Sequence, residues 1–154
     1  MWSKTYSTKI TGVSAAEIWN VWADVDRWAE WQDDVDSAHL HGPFAKGSQF
    51  LLRPKGGPKV KIGILNCEPR RNFTDVTHFP LARMYGSHDM IEHDDGLELK
   101  TTISIEGPLS FLWRKIVAEG VANSLPSQTD ALVARARLLK ANSTPDNIVP
   151  LKAA

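Results

Sequence analysis

The sequence predicts an α+β fold: an antiparallel sheet whose buried face is covered by one long C-terminal helix. Two observations carry this. Between residues 35 and 106, short runs of alternating apolar and polar residues are separated by turn residues, the signature of strands joined by hairpins. From Leu109 to about Ala141, the apolar residues instead recur at helical spacing. A third feature places two short helices between the first strand and the rest of the sheet. Ser14-Ala15-Ala16-Glu17 has the form of a capping box, and Val13 and Ile18 stand where a hydrophobic staple needs them.

Taken in order, residues 2–11 read as a polar, Thr-rich strand with Tyr6 and Ile10 on one face. The first helix starts at Ala15 and shows a broad apolar face of Ile18, Trp19, Val21, Trp22 and Val25. Asp24 or Asp26 is placed to cap a second short helix carrying Trp28 and Trp31. Strands follow over Val35–Phe44 and Gly47–Arg53, with Pro54-Lys55-Gly56-Gly57-Pro58 as a turn. Val60, Ile62 and Ile64 alternate with Lys59, Lys61 and Gly63 in the next strand. Phe73–Phe79 and Arg83–Glu92 are two more, and His93-Asp94-Asp95-Gly96 is a hairpin turn. Leu97, Leu99, Thr101, Ile103 and Ile105 form the clearest alternation in the chain. Gly107-Pro108 ends the sheet and opens the long helix, which Pro126 kinks or splits. Connections this short require antiparallel pairing. Residues 1–141 are expected to form a single domain, with 142–154 a flexible C-terminal tail.

Composition narrows the function. The chain has 154 residues, enough for one sizeable core. Lys+Arg and Asp+Glu number 18 each, and this balance argues against a nucleic-acid partner. A single cysteine excludes an internal disulfide and fits a reducing, cytoplasmic compartment. The N-terminus lacks the apolar run of a signal peptide, and no stretch reads as a membrane span, so no integral membrane contact is expected. Six tryptophans are present, five of them before residue 32.

The stretch Val13-Ser14-Ala15-Ala16-Glu17-Ile18-Trp19, continuing through Ala23-Asp24-Val25-Asp26-Arg27-Trp28-Ala29-Glu30-Trp31, resembles the opening of the START-like superfamily. This superfamily, also called SRPBCC, includes the polyketide cyclase/dehydrase-like proteins. Gly47-Ser48-Gln49-Phe50, Glu68-Pro69-Arg70, His88 with Asp95-Gly96, and Gly107-Pro108-Leu109 resemble its later landmarks, and the likeness spans roughly residues 5–141. Gly96-Leu97 departs from the Gly-Thr that often follows the hairpin in the family. The resemblance implies a helix-grip fold: a seven-stranded antiparallel sheet wrapped around the last helix, with two small helices closing one end. It also implies a cavity for lipids, polyketides, sterols or similar ligands. It does not imply one activity, since members include transport proteins, hormone receptors, cyclases and regulators.

Several residues could give such a cavity its chemistry. His88 and His78 are the candidate catalytic residues: if they share the cavity face, either ring could act as a general acid or base near neutral pH. The plainer reading makes each a wall residue that orients a ligand. Arg53, Arg83 and Tyr85 are candidates to hold a carboxylate or carbonyl at the mouth, with exposed strand positions as the alternative. Trp22, Phe50, Ile62, Phe79, Met90, Trp113 and Ile116 complete the expected ligand-binding set. Trp28 and Trp31 read as cement for the short helices, with an aromatic lid as the alternative. His39-x-His41 puts two imidazoles on one side of a strand, but no third ligand has supporting spacing, so no metal is expected. Cys67 reads as an inert thiol. No nucleotide, phosphate-loop or hydrolase fingerprint is present, and no cofactor is expected.

The sequence therefore points first to a binder of a small hydrophobic molecule such as a lipid, polyketide or aromatic metabolite, acting as a monomer or homodimer. A cyclase or dehydrase using a cavity His is the second reading. A regulator that binds a protein partner through the sheet edge or the Trp-rich end is the third.

Overall fold

The computed structural model describes residues 1–143. Seven strands among them form one antiparallel sheet: β1 (Trp2–Ile10), β2 (Val35–His41), β3 (Gln49–Pro54), β4 (Val60–Glu68), β5 (Asn72–Phe79), β6 (Ala82–His93) and β7 (Gly96–Glu106). Their spatial order is β1-β7-β6-β5-β4-β3-β2. From β2 onward each strand pairs with its sequence neighbour. β1 instead joins β7, which leaves β1 and β2 as the two edges. Helix α1 (Ala15–Ala23) and a 3-10 helix (Val25–Glu30) fill the connection from β1 to β2. The expected α+β, helix-grip architecture is what the chain adopts.

The local signals act through identifiable bonds. The capping box closes in both directions: Ser14 Oγ accepts from Glu17 N–H at 3.2 Å, and Ser14 N–H donates to Glu17 Oε1 at 2.9 Å. The backbone bond from Ser14, opposed by partial burial and aided by Lys140, holds the Glu17 carboxyl below its ordinary value. The second short helix is capped differently from expectation. Asp24 makes no side-chain cap, and Asp26 Oδ1 instead accepts from Leu40 N–H at 2.7 Å, tying the 3-10 helix to β2. β2 also ends at His41 rather than Phe44, because Gly42 (φ 84) turns the chain away before Pro43. β3 begins at Gln49 rather than Gly47, whose φ of 91 belongs to a turn.

The C-terminal helical region is split. It comprises α2 (Ser110–Trp113), a π-helical turn (Arg114–Ala118), α3 (Glu119–Asn123) and α4 (Leu125–Asn142). The break falls at Ser124. Pro126 sits in the first turn of α4, where its missing N–H costs nothing. α4 includes Asn142, one residue beyond the expected domain limit, and the rest of the expected tail, 144–154, lies outside the described residues. At the sheet–helix junction Gly107 adopts φ 115. A Cβ there would stand 2.6 Å from the Leu81 carbonyl oxygen and 2.8 Å from Ala82 Cα, so only glycine fits.

The buried residues pack as three clusters. One joins α1, Phe73, Met90, Leu97, Leu99 and the middle of α4. Another joins Ala82, Ile103 and Ile105 to Ala118, Ala122 and Leu125. The third joins Val25 and Trp28 to Phe50 and Ile64. The space between the clusters is the cavity described below.

Two stability measurements check this account. Gly107→Ala is expected to lower unfolding free energy by roughly 2–4 kcal/mol, from a left-handed alanine and a forced shift of the neighbouring turn. Glu17→Gln tests the cap. A depressed folded-state carboxyl contributes stability above its unfolded pKa and loses it as pH falls through the lower folded value. Urea unfolding should therefore show the variant weaker than wild type at pH 7, with the gap closing as pH falls below the ordinary glutamate range.

Candidate functional site

A cavity of about 480 Å³ lies between the sheet and the C-terminal helices. Its floor comes from alternate residues of the strands, because successive side chains on a strand point to opposite faces. β5 contributes Phe73, Asp75, Thr77 and Phe79, while β6 contributes Met84, Gly86 and His88. β7 adds Leu99, Thr101 and Ile103. Trp22, Trp28 and Trp31 wall one end, and Trp113, Ile116, Val117, Val121 and Leu125 form the roof. Gln32, Asp34 and Gln128 also line it, and Gln128 Nε2 donates to Asp34 Oδ2 at 3.2 Å across the gap between α4 and the start of β2.

Besides these groups and the threonines Thr77, Thr101 and Thr129, the wall carries one carboxylate–imidazole pair. His88 Nε2 lies 3.1 Å from Asp75 Oδ2, with the two side chains 20% and 18% exposed. Three features fix this pair. The His88 ring stacks on Phe73, with centroids 4.2 Å apart and planes 13° from parallel. Trp22 meets the ring edge-on at 5.7 Å. Gly86, directly opposite Asp75, makes room for the carboxylate: a Cβ there would sit 2.9 and 3.0 Å from its two oxygens. A carboxylate inside an aromatic wall needs a partner, and the imidazole supplies it. Such a pair can orient a polar group on a ligand or move a proton.

Of the ten residues expected to bind ligand, Trp22, Phe50, Ile62, Phe79, His88, Trp113 and Ile116 stand in this wall. Arg53, Tyr85 and Met90 do not. Arg53 is exposed on β3 and Tyr85 faces away from the cavity on β6, each displaced by one strand position from an inward residue. The Tyr85 hydroxyl donates to Glu106 Oε1 at 2.8 Å, which raises the phenol above its ordinary value. Arg83 also pairs with Glu106, at 3.0 Å, on that outer face. Met90 points inward but is buried in the core cluster beyond the cavity.

The candidate catalytic pair divides. His78 and His88 do not share a face, and His78 is exposed. The register explains this: β5 pairs with β6 as Phe73 opposite His88 and His78 opposite Arg83, so inward residues are odd-numbered on β5 and even-numbered on β6. Asp75 was missed by the sequence reading. The signal lay in Phe73-Thr74-Asp75-Val76-Thr77-His78-Phe79, where the alternation that turns Phe73 and Phe79 inward also turns Asp75 inward.

Trp28 serves both readings given for it. Its Nε1 donates to the Trp22 carbonyl at 3.1 Å and its ring packs edge-on to Phe50, yet it also faces the cavity. His39 and His41 are exposed with rings 4.6 Å apart, and His39 Nδ1 lies 3.3 Å from Asp26 Oδ2. No group of three His, Cys, Asp or Glu residues suited to a metal occurs among the described residues. Burial raises the Cys67 thiol, whose Sγ lies 3.4 Å from the Phe44 carbonyl. Among the described residues no helix is long and apolar enough to cross a membrane.

A seven-stranded antiparallel sheet gripping a C-terminal helix around such a cavity defines the START-like helix-grip fold. Solved structures share it. A START superfamily protein from Mycobacterium smegmatis superposes with a TM-score of 0.66 at 14% identity, covering 89% of this chain and 98% of that one. Norcoclaurine synthase from Thalictrum flavum, solved with dopamine and hydroxybenzaldehyde, gives 0.66 at 11% identity, covering 93% and 90%. The di-domain ARO/CYC BexL from the BE-7585A biosynthetic pathway gives 0.62 at 16% identity, covering 88% of this chain and 48% of that one. At these identities the likeness is one of fold. No protein-family model matches the sequence, and no curated protein matches it.

The face assignments are open to direct measurement. His78→Ala and Tyr85→Phe should leave the binding of an apolar fluorophore within about twofold of wild type, because surface changes remote from a site move free energies little. His88→Ala should alter that binding. A fluorescence titration of the three variants makes the comparison.

Proposed function

We propose that this protein binds a small, largely aromatic molecule in the cavity, with the Asp75–His88 pair orienting it. The observation that carries the reading is the cavity itself. At about 480 Å³ it falls in the range of small-molecule pockets, roughly 300–1,000 Å³. Unfilled volume in a core costs stability, so a gap this large fits a chain that fills it with a ligand. Within the expected range of ligands the volume favours an aromatic or compact metabolite over a two-chain lipid. Edge-on and stacked rings at Trp22, Trp28, Phe73 and Phe79 offer flat, rigid walls to flat ligands. In this reading Trp22, Phe50, Ile62, Phe79, Trp113 and Ile116 contact the ligand, and His88 fixes its orientation.

One observation favours a second reading, an enzyme that folds and deprotonates its substrate in the same space. His88 is held by Asp75 as a general base is held by an orienting carboxylate. Positioning would supply most of the rate, and the pair would move the proton. The helix-grip neighbours include a named synthase, so the fold is compatible with either activity.

The binding reading is tested with N-phenyl-1-naphthylamine, an uncharged apolar fluorophore. It should bind saturably with one site per chain. Met84→Trp, which fills the cavity from β6, should weaken binding at least tenfold while leaving the unfolding midpoint close to wild type. Undiminished binding by Met84→Trp would place the fluorophore elsewhere and sink the proposal.

A further inference from the structure

The wall carries an unusual balance of charge. Among its described residues it has two carboxylates, Asp34 and Asp75, and one imidazole, His88, with no Lys or Arg. Its formal charge is therefore negative whether or not His88 carries a proton. Asp34 is exposed and bonded to Gln128, so Asp75 is the carboxylate that matters inside. An anion placed beside it is repelled where screening by water is reduced, and a pocket for a fatty acid or another carboxylate would present a cation instead. Asp75 favours a ligand that donates to it, most strongly one that is also positively charged, since a carboxylate out of water is costly unless it is satisfied. Only Asp75 Oδ2 has a partner among the described residues, His88 Nε2; Oδ1 has none there.

The surroundings of Asp75 match one chemistry. Its carboxylate sits over Gly86, with the aromatic rings of Trp22 and Phe73 packed around the neighbouring His88. Aromatic faces attract cations, and they do so most strongly where water is excluded. The carboxylate provides the ion-pair partner, and the neighbouring rings add a further attraction for a cation. We infer that the cavity selects a ligand bearing a protonated amine on an aromatic or compact apolar body, with the ammonium at Asp75. This rests on the cavity being the binding site. It assigns Asp75 the anchoring role and leaves His88 to position the carboxylate through Nε2.

Three matched naphthalene probes test the inference at pH 7 by calorimetric titration of the full chain: 2-(2-naphthyl)ethylamine, 2-naphthaleneethanol and 2-naphthylacetic acid. The ammonium probe is expected to bind at least tenfold more tightly than the carboxylate, with the alcohol between them. Asp75→Asn should remove most of this preference, chiefly by weakening the ammonium probe at least tenfold. His88→Gln, which keeps Asp75 and cannot carry a positive charge, should retain the preference. Equal binding of ammonium and carboxylate by the wild-type protein overturns the inference without any variant, and so does an unchanged preference in Asp75→Asn. If the alcohol binds and no charge preference appears, only the amine assignment fails. If none of the three binds, the cavity reading fails and the amine assignment with it.

Discussion

The tight turn from Phe79 to Ala82 is the constraint on which the site depends. Pro80 fixes its own φ near −65°, and Leu81 follows with φ 55, a left-handed conformation that costs a bulky residue about 1 kcal/mol or more. That cost is offset by three attachments. The Leu81 carbonyl accepts from Leu109 N–H at 3.0 Å and packs against the space that Gly107 leaves open. The Pro80 carbonyl accepts from Trp113 Nε1 at 3.0 Å, and the Trp113 ring stacks on Phe79 at 4.6 Å. One turn thus sets the start of the helical region and the place of Trp113. It also sets the β5–β6 register, because pairing propagates from Phe79 opposite Ala82 to Asp75 opposite Gly86 and Phe73 opposite His88. A one-residue slip would turn His88 outward and bring Asp89 in.

The cavity then follows from side-chain size. The helical region presents Ala118, Ala122, Thr129 and Ala136 among its buried residues, interspersed with Leu125, Leu132 and Val133. Small residues let the backbone approach the sheet at each end, where the Ile105 and Phe73 clusters are packed. The π-helical turn and the break at Ser124 interrupt the regular rows of side chains in the first half of the helical region. Regular rows would otherwise fill the sheet's concave face. Ile116 shows the result: it lines the cavity and is 60% exposed, so the roof at this point is also surface. π-Helical turns are rare and are found frequently at functional sites.

Much of this was legible in the sequence because it rests on local rules. The capping box at Ser14–Glu17 needs only side chains three residues apart, and it formed as read. The alternation through Leu97–Ile105 depends on a period of two, and those residues are buried in turn. The resemblance supplied the wrapped arrangement, which no local rule contains. What failed was register between strands. Nothing within Phe73–Phe79 or Arg83–Glu92 alone says which residue faces which, so a shared face for His78 and His88 stood only as a condition, and Tyr85 stood as either a mouth residue or an exposed strand position. Asp75 was overlooked for a related reason: its partner is thirteen residues away and its space is made by a glycine on another strand. Asp26 is a similar case, bonding to β2 rather than capping the helix it opens.

The polar bonds of β1 and β7 separate the stability of the fold from the chemistry of the cavity. Thr5 bonds Thr102 at 2.9 Å, Ser7 donates to Glu98 at 2.6 Å, Lys9 pairs with Asp95 at 3.0 Å and His93 lies 2.8 Å from Glu98. The first three pairs link β1 to β7 and its hairpin, and the fourth links β6 to β7, all on the exposed side of the sheet, while alternation sends Leu97, Leu99 and Ile103 to the other side. Cross-strand pairs of this kind each add a few tenths of a kcal/mol to the sheet and make no demand on the interior. The interior is then free to keep open volume and a lone carboxylate–imidazole pair, features that would be liabilities in a core that had to supply all the stability. Since fold alone does not fix function, residues that the sheet does not need are where one helix-grip protein can differ from another. In this chain those residues are Asp75, Gly86 and His88, and their pairing depends on one register held by one strained turn.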